Sequence, residues 1–420
     1  TGRMLMDVLG VTQRDAEYCD GRLPGSSSCG LDQARLPRRL GGVGLPSHDI
    51  HHLRTIRVAA YGATAPLLHH RYGPAVAAPA DSVVSAFSSL RASHPYMFPS
   101  DCQLYFTAGT LHLQQALTRR LDTGVLHGLL GSLYQVFKDG AESDAATFAK
   151  QDFKRLLDVR SSSSSAALDA LQGGMLMSNL EFVTFLRARM GLPIIRGVDE
   201  RCPLAAAGGA RCLRHMDRDG IHPLACQRYG AKYARHEAIK YTLAGLTSGM
   251  IEPAETHFTN AQGGDIRGDI LTEDLRGTGS ATVLDVTVVE DRGISGKPPL
   301  RCWKDRHCAT GVRERSKIDK YRVICAEHGY LFRPIAYSSL GSLGLASRKG
   351  LKLLAGAVCP KSGLRCHCRP KHGTVETCLR FRRWIVHLAV AFWRGTSRLV
   401  TRVTRKWLEG ARRRGWFAQY

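Results

Sequence analysis

Apolar residues recur at three- and four-residue steps through much of the first half of the chain. Leu111, Leu113, Leu117, Leu121, Leu126, Leu129, Leu130 and Leu133 form one such series, and Phe182, Phe185, Leu186 and Met190 another. That spacing stacks side chains on one face of an α-helix, so residues 63–191 read as mostly helical. A His- and Arg-studded stretch from about Asp49 to Ala63 reads as helix too, after the turn-rich segment Leu36-Pro37-Arg38-Arg39-Leu40-Gly41-Gly42-Val43-Gly44-Leu45-Pro46-Ser47. The run Ser161 to Ser165 falls between two helical segments and predicts a flexible loop.

The pattern changes near Gly197. Cys and His crowd together from Cys202 to Cys226, and a helix is predicted over about Lys232 to Leu246. Strand candidates follow at Glu255–Phe258 and Asp265–Ile270. Val283–Val289, β-branched and alternating, is the strongest strand in the chain. A helix from about Asp305 to Glu327 and a strand from Leu331 to Tyr337 complete the run. The order helix, strand, strand, strand, helix, strand predicts an α+β chain. Its N-terminal half is mostly helical, and a Cys/His segment then leads into an α/β unit with a mixed central sheet. The changes of texture suggest five segments: 1–62, 63–196, 197–230, 231–348 and a basic tail over 349–420.

Composition sharpens this picture. With 44% hydrophobic residues in 420, the chain is not disordered wholesale and has enough apolar material for a sizeable core. Lys and Arg number 59 against 36 Asp and Glu, a formal net charge of +23. A surplus of that size points to a polyanion, with nucleic acid as the default partner. No apolar run reaches the ~18 residues that span a bilayer, and the longest candidate, Trp384 to Trp393, contains His387. No secretory leader opens the chain, and with Thr1 first the expectation is a piece of a longer polypeptide. The 13 cysteines are odd in number and unevenly spread, which favours thiols and metal ligands in a reducing compartment over a disulfide framework.

Cys202, Cys212, His222 and Cys226 form C-x9-C-x9-H-x3-C. Thiolates and imidazole are the ligands zinc prefers, and four of them close a structural tetrahedron. One turn of backbone presents His222 and Cys226 together, whereas the leading C-x9-C is looser than usual, so His215 or His236 is a possible substitute ligand and scattered buried thiols are the alternative. Cys359, Cys366, Cys368 and Cys378, with His367 and His372, form a second cluster whose C-x6-C-x-C-x9-C spacing fits no assignable site.

The strand Val283–Val289 holds Asp285 inside an apolar run, and an unpaired charge there costs several kcal/mol. A metal, a cation or an opening to solvent must relieve it. Upstream, Asp265, Arg267 and Asp269 share one face of a second strand. Two adjacent strands would bring Asp265 and Asp285 together around Mg²⁺, whose bound water can supply hydroxide and whose charge can stabilise a pentavalent phosphate. Glu237, on the preceding helix, is a candidate third acid, and Lys317 or Lys320, one turn apart on the next helix, a candidate cation for the phosphate. The plain alternative is an ordinary strand aspartate at a sheet end.

From Leu379 to Tyr420 the tail holds 11 Lys or Arg and one acid, with Trp384, Trp393, Trp407 and Trp416 interleaved. Arg380, Arg382, Arg383, Arg398, Arg402, Arg405, Lys406, Arg412, Arg413 and Arg414 are candidates for neutralising phosphates, and the tryptophans for stacking on bases or anchoring in a core. An amphipathic helix on an anionic membrane and a solvated tail are the rivals.

Taken in order, these patches resemble the C-terminal part of non-LTR retrotransposon polyproteins of the site-specific class. In that class a CCHC zinc motif precedes a restriction-enzyme-like nuclease of the PD-(D/E)XK fold, and both follow the reverse transcriptase. The matching stretches are Cys202 to Cys226, Arg235-His236-Glu237, Gly264-Asp265-Ile266, Leu284-Asp285-Val286-Thr287-Val288, Lys317-Ile318-Asp319-Lys320-Tyr321 and Phe332-Arg333-Pro334-Ile335-Ala336. The segment Leu36-Pro37 to Leu45 is similar to one found just past the polymerase palm, so 1–62 reads as a thumb-like remnant and 63–196 as a helical linker. The resemblance covers about 35–340 in patches. It implies a Mg²⁺-dependent endonuclease that nicks target DNA to prime reverse transcription, with structural Zn²⁺, DNA and element RNA as partners, no membrane, and a nuclear location. Three departures stand out: Gly264 where proline is expected, Thr287 where lysine is expected, and no Tyr/Phe-x-Asp-Asp polymerase box anywhere in the chain. A catalytically decayed nucleic-acid-binding module of the same origin is the second reading, and a zinc-dependent interaction protein unrelated to transposition the third.

Overall fold

Two short helices and two long ones build the first layer. In the computed structural model these are α1 (Ile50–Tyr72), α2 (Asp81–Ser93), α3 (Leu113–Phe137) and α4 (Asp144–Val159). The model describes residues 33–37, 40, 42–43, 50–72, 79–98, 113–138, 143–169, 177–195, 201–202, 204, 212, 214, 216–217, 219–226, 231–247, 256–259, 265–272, 280–290, 307–357 and 379–413. The leucine series does what its spacing predicts. Leu113, Leu117 and Leu121 bury against Val58, Phe87 and Leu90 from α1 and α2. Farther along α3, Leu133 and Phe137 pack on Ala149 and Leu156 of α4. Leu111 lies outside the described residues.

The serine run is not the flexible loop its composition predicts. Ser161 caps a one-turn helix, α5 (Ser162–Ser165), by accepting from the Ser164 amide at 3.0 Å. Ser164 Oγ then donates to the Leu340 carbonyl (2.8 Å), and the Leu343 amide donates to Ser163 Oγ (2.9 Å). Each of these bonds replaces one that water would otherwise make, so Ser161, Ser163 and Ser164 sit buried with their hydroxyls satisfied. α6 (Asn179–Met190) opens on a capping box of Ser178 and Glu181 and stops at Gly191, whose φ of 71° a β-carbon would strain. Its buried Arg189 donates to the carbonyls of Gly42 and Val159, while Arg155 reaches Gln33 Oε1 and the Arg189 carbonyl, so the segment around 33–43 is pinned to α4 and α6.

After the short α7 (Ile221–Ala225) and α8 (Ala231–Thr247) come the strands. β1 (Thr256–Thr259) and β2 (Asp265–Gly268) form an antiparallel ribbon. β3 (Ile270–Thr272), β4 (Thr282–Val289) and β5 (Leu331–Ser338) form a mixed sheet in the order β3-β4-β5, with β4 and β5 parallel and joined through α9 (Cys308–Glu327). β4 is buried on both faces. Leu284, Val286 and Val288 enter the main core, and Val283 packs on Tyr321, Ile324 and Cys325 of α9. Pro334, which cannot donate to a ladder, stands on the sheet-edge strand β5.

α10 (Leu345–Ala357) begins over a buried carboxylate. Glu314 Oε1 accepts from the Ser347 amide (2.7 Å) and hydroxyl (2.5 Å), and Oε2 from the Ala346 amide (3.2 Å). The carboxylate thus satisfies helix-start amides and sits at the positive end of the dipole. Removing it leaves those donors buried, so Glu314→Ala should destabilise the fold by about 2–4 kcal/mol in urea unfolding. Gly344→Ala should do so as well, since a β-carbon there would fall 2.2 Å from Glu314 Oε1.

Much of the basic tail is a core element. α11 (Leu379–Arg413) runs through the middle of the molecule, against α8, α6 and α10. Trp384 and Trp393 are 4% and 1% exposed, and Trp407 packs at the margin of the same core, so these rings are anchors rather than stacking platforms. That core also takes in Phe185, Cys202, Leu243, Leu284 and Ile335, and so crosses the segment boundaries suggested at 196, 230 and 348. Trp416 and the second Cys cluster, Cys359 to Cys378, lie outside the described residues.

Candidate functional site

Two constellations of chemically able side chains flank α8. The first is the Cys/His segment. The Cys202 amide donates to the Arg214 carbonyl (2.7 Å) and the Cys212 amide to the Leu204 carbonyl (2.9 Å), which folds the C-x9-C stretch back so that its ends meet. The Asp217 carboxylate accepts from the amides of Ile221 and His222, both at 2.7 Å, and starts α7. Gly220, at φ 73°, makes the entry turn where a β-carbon would strike Ile194. His222 and Cys226 therefore face the two thiols across a short gap.

Cys202 Sγ lies 3.9 Å from Cys226 Sγ, and Cys212 Sγ 3.3 Å from His222 Nε2. All four ligand atoms lie within 4.8 Å of one another. A tetrahedron with metal–sulfur bonds of ~2.3 Å has sulfur–sulfur edges of about 3.8 Å, so the set has the size zinc requires. Its hydrogen bond to Cys226, then burial, push the Cys202 thiol far above its ordinary range. A cation at the centre would reverse that, because the thiolates would then face positive charge. Cys202, Cys212, His222 and Cys226 can hold a metal ion such as zinc. Neither substitute is needed: His236 is engaged elsewhere, and His215 lies outside the described residues.

The second constellation centres on β4. Asp285 points toward α9, where Lys317 Nζ stands 2.9 Å from Oδ1 and 2.8 Å from Oδ2. Lys320, the other lysine considered for this role, is exposed and lies over the Tyr321 ring, 5.0 Å from its centre. Arg313, one turn before Lys317, approaches Thr287 Oγ1 at 3.5 Å, and Tyr321, one turn after, donates to the Arg267 carbonyl at 2.6 Å. Burial pushes the Asp285 carboxyl above its ordinary value even with Lys317 beside it, and the Asp269 carboxylate pushes it further.

The expected neighbour relation between Asp265 and Asp285 is not found. Asp265 stands on β2, paired with Thr259 in the ribbon rather than with β4, and its side chain lies outside the described residues. Gly264 is outside them too. The strand beside β4 is β3, whose register sets Ile270 opposite Leu284, and Asp269 is the single residue between β2 and β3, just before that pairing begins. The Asp269 amide donates to the Leu284 carbonyl (3.0 Å), and Asp269 Oδ2 accepts from the Val286 amide (2.6 Å). His236 Nε2 meets that same oxygen at 3.0 Å, and His236 Nδ1 meets Glu237 Oε1 at 3.2 Å. Burial alone would lower the His236 pKa; the two carboxylates outweigh it and hold the imidazole above its ordinary value. Glu237 therefore joins the site through His236.

Asp269, His236, Tyr321 and Arg313 complete the site without having been assigned to it from sequence. Strand alternation had put Asp269 on the same face as Asp265, but only the register selects between them. Among the tail residues, Arg382, Arg383, Arg398, Arg405 and Arg412 are exposed and Arg380, Arg402 and Lys406 half-exposed on α11; the Arg413 side chain and Arg414 lie outside the described residues. Comparison with known protein families and with curated proteins returns no match.

Proposed function

We propose that this chain carries a metal-dependent DNA endonuclease, the nicking part of a protein that resembles the retrotransposon polyproteins named above, acting on nuclear DNA with element RNA as a second partner. The observation that supports this best is the pair of carboxylates, Asp269 just before β3 and Asp285 on the adjacent β4, near enough for the charge of one to act on the other, with a lysine beside one and a histidine beside the other.

Two carboxylates present hard oxygen donors, the kind Mg²⁺ or Mn²⁺ takes. Asp269 and Asp285 would hold such an ion, and the chemistry it would supply there is activation of a bound water and offset of charge on a phosphodiester. The chain's own residues do the rest. The Val286 amide and His236 both hold Oδ2 of Asp269 and so fix that carboxylate in place. Lys317 supplies the amine that Thr287 does not, and reaches it from a helix rather than from the strand. Arg313 adds a second cation on the same face of α9, in reach of a phosphate that Lys317 contacts. The product strand ends in a 3′-hydroxyl, the group a reverse transcriptase would extend.

A catalytically decayed binding module is the second reading, favoured by Thr287 and by Lys317 engaging both oxygens of Asp285. Supercoiled plasmid incubated with the protein and Mg²⁺ or Mn²⁺ separates the two. Conversion to open circle is expected; intact plasmid, with Thr287→Lys failing to restore nicking, would leave the binding module.

A further inference from the structure

Between Leu388 and Val400 every residue of α11 is buried except Arg394 and Arg398. The line continues through Arg402, half-exposed, to Arg405 and Arg412, both exposed, and backward to Arg383. At 100° per residue these six arginines fall within an arc of about 100°, over a rise of about 44 Å. Between Leu379 and Arg413 there are ten Lys or Arg and one acid. A helix face that is merely solvated mixes charges of both signs; this one is a nearly single-sign stripe on an element whose other faces form the core. Glu181 meets Arg394 at 3.6 Å, and Glu409, the one acid within the arc, meets Arg405 at 3.9 Å, so the stripe is also anchored at two points.

We infer that this arginine line is a backbone-binding rail for double-stranded DNA. The choice of DNA rests on the nuclease reading; the binding mode rests on α11 alone. Single strands are held by aromatic side chains interleaved with the cations, and among the described residues of α11 Trp384, Trp393 and Trp407 pack into the core, which leaves phosphate contact as the mode this helix offers. A membrane helix must bury an apolar face in lipid, and that face of α11, with Leu388, Phe392, Leu399 and Val403, is already spent on the protein core. The stripe is longer than the ~34 Å of one duplex turn, so several arginines can meet phosphates of one groove edge at once. Deleting the helix cannot test this, since it would remove the core with the charge.

The test uses the intact chain, a short labelled DNA duplex, and binding measured by anisotropy across a KCl series. Arg398→Gln, Arg402→Gln and Arg405→Gln combined should make the slope of log K against log salt shallower by about 2–3, at ~0.9 per lost phosphate contact. Affinity at low salt should fall by about tenfold or more, and the matching Arg→Lys triple should keep the wild-type slope. If the Gln triple proves thermally unstable, Arg398→Gln alone carries the test, with an expected change of about one. An unchanged slope overturns the inference, as does a change seen with single strands, RNA or anionic vesicles but not with duplex DNA. A protein that binds through these arginines yet nicks nothing removes the nuclease reading and keeps the rail; one that nicks with its salt slope unchanged by the substitutions does the reverse.

Discussion

Stripping the metal from Cys202, Cys212, His222 and Cys226 is expected to unfold residues 201–226 and to lower the thermal midpoint of the whole core by roughly 10 °C or more. The reason is where the cluster sits. Structural zinc contributes folding free energy directly, about 10–16 kcal/mol in small zinc domains. Here Cys202, Leu204, Met216, Leu224 and Cys226 belong to the same core as α6, α8, β4 and α11. Arg235 of α8 donates to the Leu224 carbonyl (2.9 Å) and lies over the Phe392 ring, so α7 is tied to both long helices. Losing the knuckle therefore loosens α8, and with it His236 and Glu237. Without metal, three thiols and an imidazole crowd a largely buried space with nothing to favour the thiolates. Elemental analysis should find about one zinc per chain, and EDTA followed by zinc add-back should lower and then restore the melting temperature. Cys226→Ser should mimic EDTA. A protein that purifies without metal and melts identically with and without chelator would make the cluster a set of ordinary buried thiols.

How much of this was legible depended on whether the deciding partner was near or far in sequence. β4 was readable because β-branched residues alternate over a full strand length, and the leucines of α3 because their spacing repeats for several turns. The zinc-type set was readable from ligand chemistry, although its C-x9-C half looked loose until backbone bonds at Cys202 and Cys212 closed the loop. The serine run was misread because serine satisfies its own backbone equally well in a loop and in a cap; what buries it are Leu340 and Leu343, far along the chain. In the tail, charge summed over 42 residues hid a helical apolar series, Trp384, Leu388, Phe392, Leu399 and Val403, that makes α11 a core element. Lys317 and Lys320 differ only in helix phase relative to the sheet, which no local pattern states.

The choice between Asp265 and Asp269 has the same origin, and it yields the sharpest test of the site. Register fixes which strand residues oppose each other, and here Asp265 pairs with Thr259 on the ribbon, whereas Asp269 leads into the strand that pairs with β4 and its charge acts on Asp285. Asp285→Asn and Asp269→Asn should each cut Mg²⁺-dependent nicking by about 10³-fold or more, and the double variant should be no slower than either single, because the two act as a unit. DNA affinity should hold or rise, since a negative charge near phosphate is removed. Asp265→Asn, on the ribbon, should leave nicking within about threefold. Glu237→Gln should fall between, because it reaches the site through His236. Burial already holds the Asp285 carboxyl above its ordinary value, so asparagine removes an unfavourable buried charge and the variant should melt no lower than wild type. Lys317→Ala should differ in its melting. It should slow nicking and also lower the melting temperature, because Asp285 is then buried without its counter-ion. If Asp265→Asn abolished nicking and Asp269→Asn did not, the active pair would be the one on the ribbon, and the role given to Asp269, His236 and the β3–β4 register would be lost.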